Sequence, residues 1–190
     1  MKFRHYLMLL CCLTFIYTEC RRNYFFLDPD NPGLSRFTAR GYNISSNYIN
    51  GQPFVNRGIY YPLLSKDSTG NATDTLTFQW PIYSNNDSAY IVSPFQNISF
   101  LLAVPSSFSK NDFLSFNGQR FQSPTVVVKE NQATISGTGN LYFVSITEDF
   151  SNPPGKNLKL SGLFDGNIGD SVLITKGRFD FEIPEDQLNF

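Results

Sequence analysis

The chain has 190 residues, of which 16% are aromatic and 16% charged, and its formal net charge is -1. That length suits one domain of ordinary size, and 19 Phe with 10 Tyr argue for a packed core and against a disordered chain. No basic excess is present to neutralise phosphates, which argues against a nucleic-acid partner.

The N-terminus opens with a positive head, Lys2 and Arg4, followed by an uncharged and mostly apolar run from Tyr6 to Tyr17. Such a run is short for a membrane-crossing helix and suits the h-region of a secretory leader. No small-x-small cleavage site follows it. Cys20 stands instead where bacterial lipoproteins carry the cysteine that receives diacylglycerol and becomes the new N-terminus. Tyr17-Thr18-Glu19-Cys20 resembles a lipobox in position and in Thr18, and departs from it at Tyr17 and Glu19. Cys11 and Cys12 would leave with the leader, so Cys20 would be alone in the mature chain, unable to form an internal disulfide. Acylation accounts for that odd thiol and supplies a stable membrane anchor.

Residues 1–19 are therefore read as a lipoprotein-type signal peptide and 20–34 as a lipidated cysteine and tether, with a turn at Asp28-Pro29-Asp30-Asn31. Residues 35–190 are read as one β-domain. A period of two dominates there. Leu76, Phe78, Trp80 and Ile82 alternate with polar or turn residues, and Phe179, Phe181 and Ile183 alternate with Arg178, Asp180 and Glu182. Leu158, Leu160 and Phe164 share a face on which Gly162 fills the remaining position, and Leu141 to Ile146 is apolar on both faces for most of its length. Asn50-Gly51 and Asn117-Gly118 predict two-residue hairpins, and Asp165 to Asp170 predicts a chain reversal. Ser106 to Phe113 has room for a turn or two of helix. The expectation is an all-β fold, an antiparallel sandwich or partly closed barrel of eight to ten strands.

Gly137-Thr138-Gly139-Asn140-Leu141-Tyr142-Phe143, Leu160-Ser161-Gly162-Leu163-Phe164 and Ile174-Thr175-Lys176-Gly177-Arg178-Phe179-Asp180 follow one another near the C-terminus. This order resembles a group of uncharacterised β-rich envelope lipoproteins of Bacteroidota. The resemblance covers the last sixty or so residues and, earlier, the N-G-x-x-F segment from Asn50 to Phe54. It implies an outer-membrane location and no particular activity. O-glycosylation in that phylum uses Asp-Ser/Thr before an apolar residue or Thr. Ser68, Thr75, Ser88 and Ser171 are in that context, where about one such triplet is expected by chance. Each is equally explained as an ordinary turn pair.

Excluded chemistry is as informative. The only histidine is His5, inside the leader, so the mature chain would lack Ser-His-Asp and Cys-His catalysis and His-ligated zinc. Carboxylates remain. Asp180 and Glu182 share a strand face and read as a solvated outer surface; Glu148-Asp149 and Glu185-Asp186 read as loop residues. Asp165, Asn167 and Asp170 offer oxygens to calcium but read equally as a surface turn. Trp80 is expected in the core, whereas Tyr60 and Tyr61 beside Pro62, and the patch from Tyr24 to Phe26, are candidates for an exposed adhesive surface. The expected function is a lipid-anchored, non-enzymatic binding or structural module of the cell envelope. It has no cofactor, and its partners are the membrane and a glycan or protein ligand. A carboxylate-based glycan hydrolase and a component of a surface adhesion assembly are the alternatives.

Overall fold

The computed structural model describes residues 26–58, 60–67, 72–81, 95–130, 133–150, 156–169 and 171–190. Cys20, Ser68, Ser88, Ile82, Tyr24 and Phe25 lie outside the described residues, as does Asp170. The protein is all-β and antiparallel. Among the described residues, a small hairpin, β1 (Leu27–Asp28) and β2 (Asn31–Ser35), precedes a nine-stranded sheet. Its strands are β3 (Ile44–Ile49), β4 (Gln52–Arg57), β5 (Leu63–Ser65), β6 (Thr73–Pro81), β7 (Phe95–Pro105), β8 (Arg120–Glu130), β9 (Ala133–Asp149), β10 (Asn157–Ile168) and β11 (Val172–Pro184). From β5 to β11 each strand pairs with the next in chain order, and the β3–β4 hairpin is added beyond β11.

That order forces the sheet to curl. Strands β4 and β5 are its two edges, and laid flat the sheet would hold them about 38 Å apart, eight spacings of about 4.8 Å. Yet Arg57 and Leu63 are joined by a connection that reaches about 20 Å at full stretch. The sheet must therefore roll up, and ring contacts across its inside record that it does. Trp80 of β6 lies 4.8 Å from Phe164 of β10 and 5.8 Å from Phe179 of β11, centroid to centroid. Tyr60, in the crossing segment, meets Phe181 edge-on at 5.7 Å. The result is a partly closed barrel whose interior is filled by large rings, which is what a high aromatic content supplies.

The expected core faces are in place. Leu76, Phe78 and Trp80, the alternating residues of β11, and Leu158, Leu160 and Phe164 are all buried. A Cβ on Gly162 would stand 2.3 Å from both the Phe179 ring and the Tyr142 carbonyl oxygen, so glycine alone fits beneath that ring. One end of the barrel is plugged by the short helix α1 (Lys110–Leu114), which carries buried Phe113 inward and starts with a capping box between Ser109 and Asp112. Phe113 packs on Phe78 at 6.1 Å and on Phe190 at 5.4 Å.

Turn chemistry divides. Asn50 and Gly51, at φ 51° and 80°, close the β3–β4 hairpin with Ile49 opposite Gln52, as the Asn-Gly pair predicts. Asn117-Gly118 does not form a hairpin. It ends the turns after α1 and docks on β9, Asn117 Oδ1 accepting from Ile146 N and Gly118 N donating to Phe143 O. Those bonds flank the irregularity opposite Ser161 and Gly162, so the pair serves a bulge and not a reversal. Asp165 to Ile168 likewise continues β10, and the chain turns only between Ile168 and Val172.

Residues 26–34 differ from the tether reading. The turn at Pro29-Asp30 is present, but it closes a hairpin that lies on the sheet. Leu34 is fully buried, Tyr48 OH donates to Pro32 O at 2.8 Å, and Ser35 shares a 2.7 Å hydroxyl bond with Ser46. Tyr60 and Tyr61 are half-buried beside buried Pro62 and pack on the core, so they are not the exposed patch expected of them; Phe26 is exposed.

Candidate functional site

The outer face of β8–β11 carries the site. Register aligns Arg120 with Tyr142, Tyr142 with Leu163, and Leu163 with Arg178, so four side chains form one rung across four strands. Two residues along, Asn140 and Asp165 are opposite one another on the same face. On β11 the register slips between Thr175 and Arg178, and Lys176 adopts φ 54° there, a left-handed conformation that costs a non-glycine residue about 1 kcal/mol. The N-terminal hairpin and Phe37 stand over this face as a wall. Between wall and sheet is a cavity of about 560 Å³ lined by Asp28, Asn31 and Phe37 on one side and the two rungs with Lys176 on the other. Its size falls in the range of small-ligand sites.

Two polar contacts are built in. Arg178 Nη1 meets Asp28 Oδ2 at 2.5 Å and also donates to Ser35 O at 3.0 Å, which ties the hairpin wall to the sheet. The Arg178 guanidinium, with help from Asn31 Nδ2, lowers the Asp28 pKa to about 2. Asn140 Nδ2 donates to Asp165 Oδ1 at 2.7 Å. The Arg120 guanidinium sits 5.3 Å from the Tyr142 ring centroid, within cation–π range. Leu163, 41% exposed, leaves an apolar step in the middle of the rung.

Of the carboxylates singled out in the sequence, Asp165 is in the groove, bonded to Asn140, and the following are used elsewhere. Asp180 is buried, contrary to the solvated face expected of it. It accepts from Thr38 Oγ1, from Arg40 N at 3.1 Å and from Gly41 N at 2.6 Å, and so pins residues 38–41 over the sheet. Alternation placed it opposite the core correctly but could not reveal that another segment covers it. Glu182 is half-buried and accepts from Asn157 Nδ2. Glu148 and Asp149 end β9 and do not lie in a loop: Glu148 and Glu185 share the Lys110 ammonium at 2.7 and 2.6 Å, and Asp149 pairs with Lys159. Lys110 lowers the Glu148 pKa, and Glu148 and Glu185 together raise that of Lys110. No cluster of three or more His, Cys, Asp or Glu able to hold a metal occurs among the described residues.

Of the glycosylation candidates that are described, Ser171 is exposed in the β10–β11 turn, where its carbonyl accepts from Asn50 Nδ2. Thr75 is half-buried inside β6, between Ser65 of β5 and Ala103 of β7. Of the groove residues, Asp165 reads in the sequence as a calcium ligand or turn residue and Asp28 and Asn31 as part of a turn, whereas Arg120, Asn140, Tyr142, Leu163 and Lys176 carry no expected binding role. Their one sequence signal is apolar or aromatic residues at outward positions, Tyr142 and Leu163, beside well-formed core faces.

No helix among the described residues is long and apolar enough to cross a membrane. Comparison of the chain with protein-family models, with curated proteins and with solved structures returns no match.

Proposed function

We propose that the protein is a lipid-anchored module of the cell envelope that binds a glycan in the groove under its N-terminal hairpin, without transforming it. The observation that carries this reading is the groove: a cavity of about 560 Å³ that sets amide and carboxylate groups beside Leu163, Phe37 and Tyr142. Sugars need that combination, because their hydroxyls seek fixed donors and acceptors while their C–H faces seek apolar surface. Cys20 supplies the anchor, and the β-domain displays the groove from the membrane.

Asp28 and Asp165 both line the groove, which keeps glycan hydrolysis as the second reading. A hydrolase needs one carboxyl group free to protonate the leaving group and a second free to act as base or nucleophile, whereas Asp28 is tied to Arg178 and Asp165 accepts from Asn140. That favours binding over cleavage. Titration of the purified protein with an oligosaccharide panel, followed by NMR of the Asn140 side-chain amide and the Tyr142 ring, tests the groove. Binding without product release supports the reading, and turnover abolished by Asp165→Asn refutes it. Labelling cells with a clickable fatty acid tests the anchor, and a Cys20→Ala protein that still takes up label refutes it.

A further inference from the structure

We infer that the groove selects an acidic oligosaccharide, with Arg120 and Lys176 each pairing with a carboxylate of the ligand; this rests on the groove being the ligand site. The groove contains three cations and two anions, Arg120, Lys176 and Arg178 against Asp28 and Asp165. One cation is already committed, since Arg178 is bonded to Asp28 at 2.5 Å and to the Ser35 carbonyl. Asp165 accepts from the neutral amide of Asn140 and keeps its charge. Arg120 and Lys176 have no carboxylate partner among the described residues, so beside Asp165 the two cations leave the lining with a positive excess of one charge.

Their placement says more than their number. Arg120 is on β8 and Lys176 on β11, with β9 and β10 between them, so their strand axes are about 14 Å apart, three interstrand spacings. With Arg120 over the Tyr142 ring and Lys176 on the far strand, the two cations offer two separate points of charge along the groove. A ligand that pairs with each through its own carboxylate carries anionic groups at two separated points, with a body that crosses Leu163 between them. A chain of uronic-acid-type sugars has that form. Arg120 is also prepared for the task. Its guanidinium is held over the Tyr142 ring, which limits the orientations of a planar fork suited to bidentate carboxylate pairing. Lys176 is directed by the backbone slip of β11, where its left-handed conformation interrupts the regular ladder next to the groove.

The test is a calorimetric titration of the full mature protein with a uronic-acid oligosaccharide and with the same oligosaccharide after carboxyl reduction, which keeps rings and linkages and removes the charge. The acidic form is expected to bind about tenfold or more tightly, with an affinity that falls as salt rises. Arg120→Gln and Lys176→Gln should each weaken the acidic form about fivefold to tenfold and change the binding of the reduced form by a smaller factor. The monomeric acid should bind more weakly than the oligomer. Both variants alter exposed side chains, and unchanged thermal melting checks their fold. Equal binding of the acidic and reduced oligosaccharides overturns the inference while the groove remains a glycan site. Failure of both to bind overturns the glycan reading and the inference together.

Discussion

Replacing Asp180 with Asn tests whether a buried carboxylate holds residues 38–41 against the sheet. One oxygen of Asp180 accepts from Gly41 N at 2.6 Å, and the other accepts from Arg40 N at 3.1 Å and from Thr38 Oγ1. An amide can offer an acceptor to only one of these sides. With its oxygen toward Arg40 and Thr38, its NH₂ group faces the Gly41 N–H. Reversed, Thr38 can turn its hydroxyl to accept, but Arg40 N–H is left facing a donor. Either way one backbone N–H loses its partner in a part-buried bond to a buried side chain, at a cost of about 1–3 kcal/mol, and the surviving bonds weaken from charge-assisted to neutral. The expected loss is about 3 kcal/mol, read by urea unfolding as a shift in midpoint with unchanged slope. Asp180→Ala, which strands all three donors, should cost more, and Thr38→Val, which removes one hydroxyl, about 1 kcal/mol. Hydrogen exchange adds a local readout: the Arg40 and Gly41 amides should lose protection in Asp180→Asn while Phe143 in β9 keeps its own. Wild-type stability with unchanged Arg40 and Gly41 protection would refute the reasoning.

Three further outcomes follow from the packing and charge. The Asp28–Arg178 pair should contribute roughly 1–2 kcal/mol after solvent screening. The Asp28 pKa is lowered from 3.8 to about 2, so this contribution is fully present above about pH 5 and is lost as pH falls toward 2; the stability gap between wild type and Asp28→Asn should therefore be flat above about pH 5 and close below it, and a gap independent of pH down to 2 would contradict the assignment. Gly162→Ala places a methyl 2.3 Å from the Tyr142 carbonyl oxygen and the Phe179 ring, and should cost about 3 kcal/mol, seen as a melting temperature lower by roughly 9 °C for a domain of this size. Asn189 clasps the β5 edge by accepting from Leu64 N at 3.0 Å and donating to Leu64 O at 3.1 Å. Asn189→Ala should cost about 1 kcal/mol and, by uncovering an edge strand, produce concentration-dependent association in sedimentation velocity.

What the amino-acid sequence determined by itself is what short-range chemistry controls. Alternation set which side chains of β6, β10 and β11 face the core, because successive residues of a strand point to opposite sides whatever lies around them. Asn50-Gly51 set its hairpin because both residues accept positive φ. Asn117-Gly118 shows where that logic stops, since the same dipeptide was taken up by a bulge in β9 once that strand lay beside it. The tertiary structure decided the curl of the sheet, through a short connection between its two edges. It decided the burial of Asp180, through residues 38–41 laid across the outer face. It alone assembled the groove, whose parts run from Asp28 to Arg178 along the chain. Strand order and register between distant segments are settled by the packing of the whole interior, and no local run of residues carries them.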